Sequence, residues 1–319
     1  MNTVGLVVIG RNEGERLRVC LASAVGAVAT VVYVDSGSTD GSVELARGMG
    51  AQVVALDMRQ PFTAARARNA GFRALMVAQP GTQFVQFVDG DCELMPEWLA
   101  AAQTFLAAHP AYAVVCGRLR ERYPERSVYN RLCDHEWDTP VGDARACGGI
   151  AMLRAEALRA VGGFREDLIA GEEPELCVRL RAAGWKIYCL GTDMAWHDAA
   201  MLHWRQWWRR SVRGGYAYAE GVWLHGAPPE RHWVTETRRS LAWGLLLPVL
   251  IVIVAGWLGA WAWALLLAYP LQVLRLARRH QSVARGFFLV AGKFAESWGV
   301  LRFLRNRLLH RRQALIEYK

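Results

Sequence analysis

The chain has no Cys-x-x-Cys pair, and its seven cysteines (Cys20, Cys92, Cys116, Cys133, Cys147, Cys177 and Cys189) are odd in number and scattered. A disulfide framework and a structural zinc site are therefore not expected, and a reducing compartment suits the composition best. Internal repeats and low-complexity linkers are also missing. With 53% hydrophobic residues in 319, the chain has ample material for a buried core and is not globally disordered. Net charge is absent from most of the length: residues 1–269 carry 27 basic and 27 acidic side chains, so the whole formal excess of +9 falls in 270–319. That balance excludes a uniformly basic nucleic-acid binder. Met1-Asn2-Thr3 has no basic flank and leads into the short apolar run Val4–Ile9, which reads as a buried strand and not as a signal peptide.

What is present falls into two parts. Through residue 190, short apolar runs alternate with helical patterns, the signature of βαβ units around a mostly parallel sheet. Strands are expected at 4–9, 31–34, 52–56, 84–88 and 113–116, and helices at 13–27, 42–50, 63–78 and 96–109. Residues 118–147 are charged and irregular, as an active-site rim would be. Near residue 196 the character changes, and ten of the fourteen tryptophans lie between Trp196 and Trp263. Tryptophan at that density suits a membrane interface.

Residues 241–274 contain no formal charge over 34 positions and are interrupted by Pro248, Gly256, Gly259 and Pro270. A single straight helix of that length would run ~50 Å against a hydrocarbon core of ~30 Å. Two legs turning near Gly256–Gly259 fit better. Arg238 and Arg239 precede the run, and Arg275, Arg278 and Arg279 follow it, which places both ends on the cytoplasmic side of the cell inner membrane. Beyond it, Phe287, Val290, Phe294, Trp298, Leu301, Leu304 and Leu308 recur at helical spacing among Lys293, Arg302, Arg305, Arg307, Arg311 and Arg312. That is a basic amphipathic pattern able to lie on anionic lipid; the alternative is a helix packed on the protein with a solvated basic face. The expected organisation is a catalytic domain over 1–200, an interface helix and connector over 201–240, a membrane hairpin over 241–275 and a basic surface segment over 276–319.

The sharpest chemical signal is Phe87-Val88-Asp89-Gly90-Asp91, two carboxylates two residues apart at the tip of an expected parallel strand. Open α/β sheets bind ligands at that edge, and hard oxygen donors suit Mg2+ or Mn2+ on a diphosphate. Around it stand Gly10-Arg11-Asn12-Glu13, Val34-Asp35-Ser36-Gly37-Ser38-Thr39-Asp40-Gly41-Ser42 and Ala65-Arg66-Ala67-Arg68-Asn69-Ala70-Gly71. Gly148-Gly149-Ile150, Gly162-Gly163-Phe164 and Gly171-Glu172-Glu173-Pro174-Glu175 follow. In this order and spacing, over roughly residues 3–215, the chain closely resembles the family 2 glycosyltransferases, inverting enzymes with the Rossmann-like GT-A fold.

The resemblance implies roles residue by residue. Asn12 and Glu13 would sit in the first nucleotide-binding loop, Asp35 would contact the base, and Arg68 would reach the base or the diphosphate. Asp89 matches the acid near the ribose and the metal, Asp91 the direct metal ligand, and His197 a further metal ligand. Glu172-Glu173 matches the family's Glu-Asp pair, whose second acid is the catalytic base; Glu173 is one methylene longer than the usual Asp, so the choice between the two stays open. Gln206-Trp207-Trp208-Arg209-Arg210 is similar to a diphosphate-binding element, with Arg210 standing where processive synthases have Trp. Gly10-Arg11 and Ser36 also depart from the common pattern and leave the nucleotide less secure. The implied activity is transfer of a sugar, with Mn2+ or Mg2+, from a nucleotide donor of the UDP type to a lipid-linked or polysaccharide-precursor acceptor. The partners are the donor, that acceptor and membrane lipids, with no nucleic acid. Transfer onto a polyprenyl phosphate, or a non-catalytic sugar-nucleotide-binding scaffold, are the alternatives.

Overall fold

The computed structural model of the protein describes residues 3–311; residues 312–319, the end of the expected surface segment, lie outside the described residues. The chain forms two compact units, Met1–Leu168 with Glu172–Ala200, and Ile169–Gly171 with Met201–Lys319.

The first unit is built on a nine-stranded sheet in the order β3-β2-β1-β4-β8-β6-β9-β5, with β7 beside β9. The strands are β1 Val4–Gly10, β2 Thr30–Asp35, β3 Gln52–Ala55, β4 Phe84–Asp89, β5 Cys92–Leu94, β6 Tyr112–Glu121, β7 Gly142–Ala144, β8 Ala151–Arg154 and β9 Lys186–His197. Strands β1 to β4, β6 and β9 share one direction, and β5, β7 and β8 run against them, so the expected mostly parallel α/β sheet is what forms. Leu6, Val7 and Val8 on β1 and Val32, Tyr33 and Val34 on β2 are fully buried. A parallel strand covered on both faces needs such an unbroken apolar run.

The helices of this unit are α1 Glu15–Ala22, α2 Ser42–Gly48, α3 Ala64–Ala78, α4 Trp98–Ala108, α5 Val128–Glu136, α6 Ala155–Ala160 and α7 Glu172–Ala182. α3 begins at Thr63, whose hydroxyl accepts from the Arg66 amide at 3.1 Å, a standard N-cap. It lies hard against the sheet at Gly71, where an added Cβ would meet Val7 at 2.4 Å and Val34 at 2.9 Å. Two expectations change. α1 starts at Glu15, after Gly14 in a left-handed conformation, and stops at Ala22, short of Ala27. Residues 118–147 are more ordered than a rim: β6 runs on to Glu121, and α5 follows, capped by the Ser127 hydroxyl on the Asn130 amide at 2.9 Å.

The second unit is helical, with α8 Trp204–His225, α9 Val234–Leu241, α10 Leu247–Leu258, α11 Ala268–His280 and α12 Val283–Leu308. α9 and α10 join through a π-turn at Ala242–Leu246. That turn precedes Pro248, which has no N–H and whose ring crowds the carbonyl four residues earlier. The apolar helical stretch Val234–Trp257 is long and apolar enough to cross a membrane, at mean hydropathy 2.2. The chain breaks at Gly259, where φ is +61°, and returns through a 3-10 stretch, Gly259–Leu267, into α11. The Tyr269 hydroxyl donates to the Trp243 carbonyl at 2.8 Å, tying the outgoing and returning legs together.

α12 packs along α8 and α11 through small residues. An added Cβ at Gly215 would lie 2.0 Å from the Glu296 carbonyl, and one at Gly299 would lie 2.1 Å from that of Val212. The buried side of α12 thus includes Val290, Gly292, Ala295, Gly299, Val300 and Phe303, while Phe287, Phe294, Trp298, Leu304 and Leu308 are exposed. The helix is an integral part of this unit and does not lie apart from it.

Gly71→Ala places a methyl group inside the Val7–Val34 contact and should lower stability by about 1–3 kcal/mol. A reduced thermal midpoint checks this; an unchanged midpoint would show that α3 can lift from the sheet at no cost.

Candidate active site

Strand register assembles the site. Gly10 pairs with Asp35, and Ile9 with Asp89, so the loop after β1 and both carboxylates share the carboxyl edge of the sheet. Farther along, Glu121 at the end of β6 lies opposite His197 at the end of β9, and Cys92 on β5 faces His197 from the other side.

The two loops expected to meet a nucleotide are hydrogen-bonded to each other. The Asn12 amide donates to the Ser38 hydroxyl at 2.9 Å, and the Thr39 amide donates to Asn12 Oδ1 at 2.8 Å. Asn12 has φ +55°, a left-handed conformation that Asn tolerates better than most residues. Asp35 is buried; its Oδ2 accepts from the Gly37 and Ser38 amides at 2.9 and 3.0 Å, and its Oδ1 from the Tyr33 hydroxyl at 3.1 Å. Burial, and to a lesser extent the charge of Asp35, raises the Tyr33 phenol pKa, so Tyr33 stays a donor. Glu13 pairs with Arg16 at 2.7 Å.

The centre of the site is Arg68. It projects from α3 and is almost wholly buried, with Nη1 3.0 Å from Glu172 and 2.7 Å from Glu173, and Nη2 3.0 Å from Asp89. Burial alone would lower the pKa of this guanidinium, but the charges of Glu173, Asp89 and Glu172 more than reverse that. The two glutamates open α7, where the helix dipole favours acidic side chains. Glu173 nevertheless has a pKa pushed up to about 7, first by burial and then by the neighbouring Glu172 charge, with Arg68 opposing both. Gly149 passes directly over this cluster, since an added Cβ would lie 2.6 Å from Arg68 Nη2 and 3.0 Å from Glu173 Oε1. Glu175, in the same turn, forms a two-pronged pair with Arg179 at 2.8–2.9 Å and belongs to the scaffold.

Asp91 faces the other way from Asp89. Its Oδ2 lies 3.2 Å from His197 Nε2, and the Cys92 thiol donates to its Oδ1 at 3.4 Å. Donor atoms of Asp91, Cys92 and His197 all fall within 4.8 Å of one another. His197 Nδ1 is buried without a hydrogen-bond partner among the described residues, an orphan of the kind a bound group satisfies. A carboxylate and an imidazole make a donor set that fits Mn2+ well and tolerates Mg2+. Of the expected metal ligands, the structure joins Asp91 and His197 and turns Asp89 to Arg68.

Sequence reasoning missed the groups around His197. Glu121 is buried and accepts from the amides of Tyr123 and Ala199 at 3.1 and 3.0 Å and from the Asn130 side chain at 3.0 Å. Burial raises its carboxyl pKa. The Trp137 ring stands edge-on to His197 with centroids 4.7 Å apart. The Ser127 cap was the available signal for α5, which carries Asn130. Arg209 and Arg210 lie on α8, in the second unit.

Comparison with known proteins bears on this geometry. Residues 6–162 match the family model for glycosyl transferase family 2. The succinoglycan biosynthesis protein ExoA of Rhizobium meliloti is 27% identical over 252 residues, 75% of this chain and 74% of the relative. Glycosyltransferase AglE of Haloferax volcanii is 24% identical over 199 residues, 58% and 63% of the two chains. Among solved structures, the mannosyltransferase PcManGT from Pyrobaculum calidifontis, in complex with GDP-Man and Mn2+, matches with TM-score 0.66 at 22% identity, covering 94% of this chain and 87% of that one. Residues 1–349 of S. aureus TarS match with TM-score 0.54 at 16% identity, covering 96% and 92%. At these identities the structural matches establish the fold.

If turnover requires ionised Glu173, kcat/KM should rise with pH through about 7. Glu172→Gln removes the nearest negative charge and should move that limb to lower pH. A pH–rate profile that is flat across neutrality in both proteins would dissociate Glu173 from the rate.

Proposed function

As a family 2 glycosyltransferase with the GT-A fold, this chain transfers sugars, and we propose that it does so with inversion from a nucleoside diphosphate donor, such as a UDP-sugar, to a lipid-linked or polysaccharide-precursor acceptor at a membrane. The observation that carries this reading is the pair of glutamates at the head of α7, tuned by Arg68 and set beside Asp89 at the carboxyl edge of the sheet.

Inversion requires the acceptor hydroxyl to approach the anomeric carbon opposite the leaving diphosphate, and a base must take its proton as the bond forms. Glu173 is the better placed of the two, since 14% of its side chain is exposed against 5% for Glu172. A base titrating near neutrality combines a useful ionised fraction with a strong enough pull on the proton. Glu172 then offsets the charge of Arg68 and raises the basicity of its neighbour. Asp35 and the Asn12–Glu13 loop hold the nucleoside, with Tyr33 fixing one oxygen of Asp35. Asp91 and His197 would hold Mn2+ or Mg2+, which would supply positive charge to the leaving diphosphate, while Asp89 stays paired with Arg68. The Mn2+ in the mannosyltransferase complex supports that assignment.

The second unit supports a membrane setting. Trp257 and Trp261 are each 86% exposed, and Val249, Leu250, Val252, Ile253, Leu265 and Leu266 are exposed with them. So large an uncovered apolar surface suits lipid. The basic residues at both ends of the hairpin support a reading in which those ends face the cytoplasm at the inner membrane. Arg209 and Arg210 are read as phosphate-binding, in keeping with the likeness of residues 206–210 to a diphosphate-binding element. The biosynthetic role named for ExoA supports a polysaccharide-precursor acceptor.

Glu173→Gln should reduce transfer roughly 10²–10⁴-fold while nucleotide affinity, read by calorimetry, stays near the wild-type value. Unchanged turnover would remove Glu173 as the base and point to an acceptor that is already an anion, such as a polyprenyl phosphate. The full chain should resist extraction of membranes with alkaline carbonate, and Ile253→Lys should weaken that retention; quantitative release of the wild type would refute the anchor.

A further inference from the structure

Two of the seven thiols meet directly behind the glutamate pair. Cys147 Sγ and Cys177 Sγ are 3.6 Å apart, in van der Waals contact, and both residues are buried. Neither has a part in the chemistry above, yet each sits on a segment that does. Cys177 is four residues after Glu173 on α7, one helical turn along the same face. Cys147 precedes Gly148-Gly149, the stretch that passes over Arg68 and Glu173 with no room for a side chain at Gly149. The sulfur contact therefore joins the helix that carries the carboxylates to the loop that covers them.

We propose that Cys147 and Cys177 are an oxidation site: a peroxide converts the two thiols to a disulfide that reversibly arrests sugar transfer. One sulfur attacks a peroxide oxygen, the O–O bond breaks, and a sulfenic acid and one water form. The second sulfur then displaces the hydroxyl from the first; the S–S bond forms, the S–O bond breaks, and the hydroxyl leaves as a second water. Two electrons pass from the thiol pair to the peroxide, and a dithiol returns them. The contact itself favours reaction, because one S–H is shared between the two sulfurs, and the hydrogen bond with Cys147 holds the Cys177 thiol below its ordinary pKa against the effect of burial.

The cost to the site follows from distance. A disulfide needs about 2.05 Å between the sulfurs, so the two sulfurs must close by roughly 1.5 Å, which draws the loop and α7 toward each other. A misplacement of ~1 Å in a catalytic constellation can cost on the order of 10²-fold in rate. Gly149 has no slack on the Arg68 side, so the movement is taken up at Arg68 and Glu173.

Cys116 and Cys189 provide an internal control, since they are paired neighbours on β6 and β9. The full-length protein in membranes is treated with hydrogen peroxide, alkylated with iodoacetamide and mapped by mass spectrometry. The expected result is a Cys147–Cys177 cross-linked peptide, with turnover reduced about 10–100-fold and restored by dithiothreitol. Cys147→Ser and Cys177→Ser should each keep their turnover through the same treatment. The peptide map does not depend on the sugar donor or on either variant folding. A map in which all seven thiols remain alkylated, or in which the cross-link joins Cys116 to Cys189, would overturn the proposal, as would inactivation that persists in both serine variants.

Discussion

A buried guanidinium is the constraint around which the first unit is arranged. Arg68 comes from α3 and meets carboxylates from the end of β4 and the start of α7, so three elements distant in sequence are pinned at one point. Removing any one acid leaves charge buried with less compensation, which is the expensive direction for such a network. Removing the arginine would leave three carboxylates crowded together. The covering loop must then carry glycine at 149, because the nitrogen and oxygen atoms of the cluster fill the space where a Cβ would stand. The raised Glu173 carboxyl is a consequence of the same crowding: burial and Glu172 push up what Arg68 only partly pulls down.

The second unit follows a different packing rule. Its helices approach through backbone contacts at Gly215, Gly244, Gly286 and Gly299, where added Cβ atoms would collide with main-chain atoms of the neighbouring helix. Small residues at helix crossings, with the large apolar side chains turned outward, are the pattern of helices that pack in lipid. Polar contacts sit inside this seam. Lys293 donates to Glu296 at 2.6 Å, Ser240 donates to the same carboxylate, and Ser297 donates to the Ser240 carbonyl. These bonds fix α12 against the helix that leads into the apolar stretch, so register there is specified by polar groups and not by a large hydrophobic core.

How much of this was legible in the sequence depended on where each element's determinants lie. β1 and β2 are buried and read as unbroken apolar runs, β4 reads as one interrupted only by the buried Gln86, and Asp89 and Asp91 mark the sheet edge by themselves. The continuation of β6 was hidden because Arg118 and Arg120 look like loop residues; their partners Asp134, Asp138 and Asp193 come from α5, the segment after it and β9. The role of Glu121 was hidden for the same reason, since its partners converge from Tyr123, Asn130 and Ala199. α12 misled in a more instructive way. Its large apolar residues trace one helical stripe, of which Val290 is buried, but much of the buried seam is glycine, alanine, serine and asparagine, which a count of hydrophobic residues overlooks. Periodicity located the helix correctly, and most of its stripe, Val290 apart, lies on the outward face.

The two acids of Asp89-Gly90-Asp91 show how a short motif divides its labour. Asp89 is answered by Arg68, a cation that the chain itself supplies and that cannot leave. Asp91 instead meets the imidazole of His197 and the thiol of Cys92, groups with donor atoms suited to a metal. The fixed cation and the proposed exchangeable one are therefore served by adjacent carboxylates separated by a single glycine. A diphosphate drawn to both would lie along the strand end, with the Glu172–Glu173 pair joined to it through Arg68. Arg68 is almost wholly buried and already pairs with three carboxylates, so its charge is committed to Asp89, Glu172 and Glu173, and the charge still needed by a proposed donor would fall to the ion that Asp91 and His197 could hold.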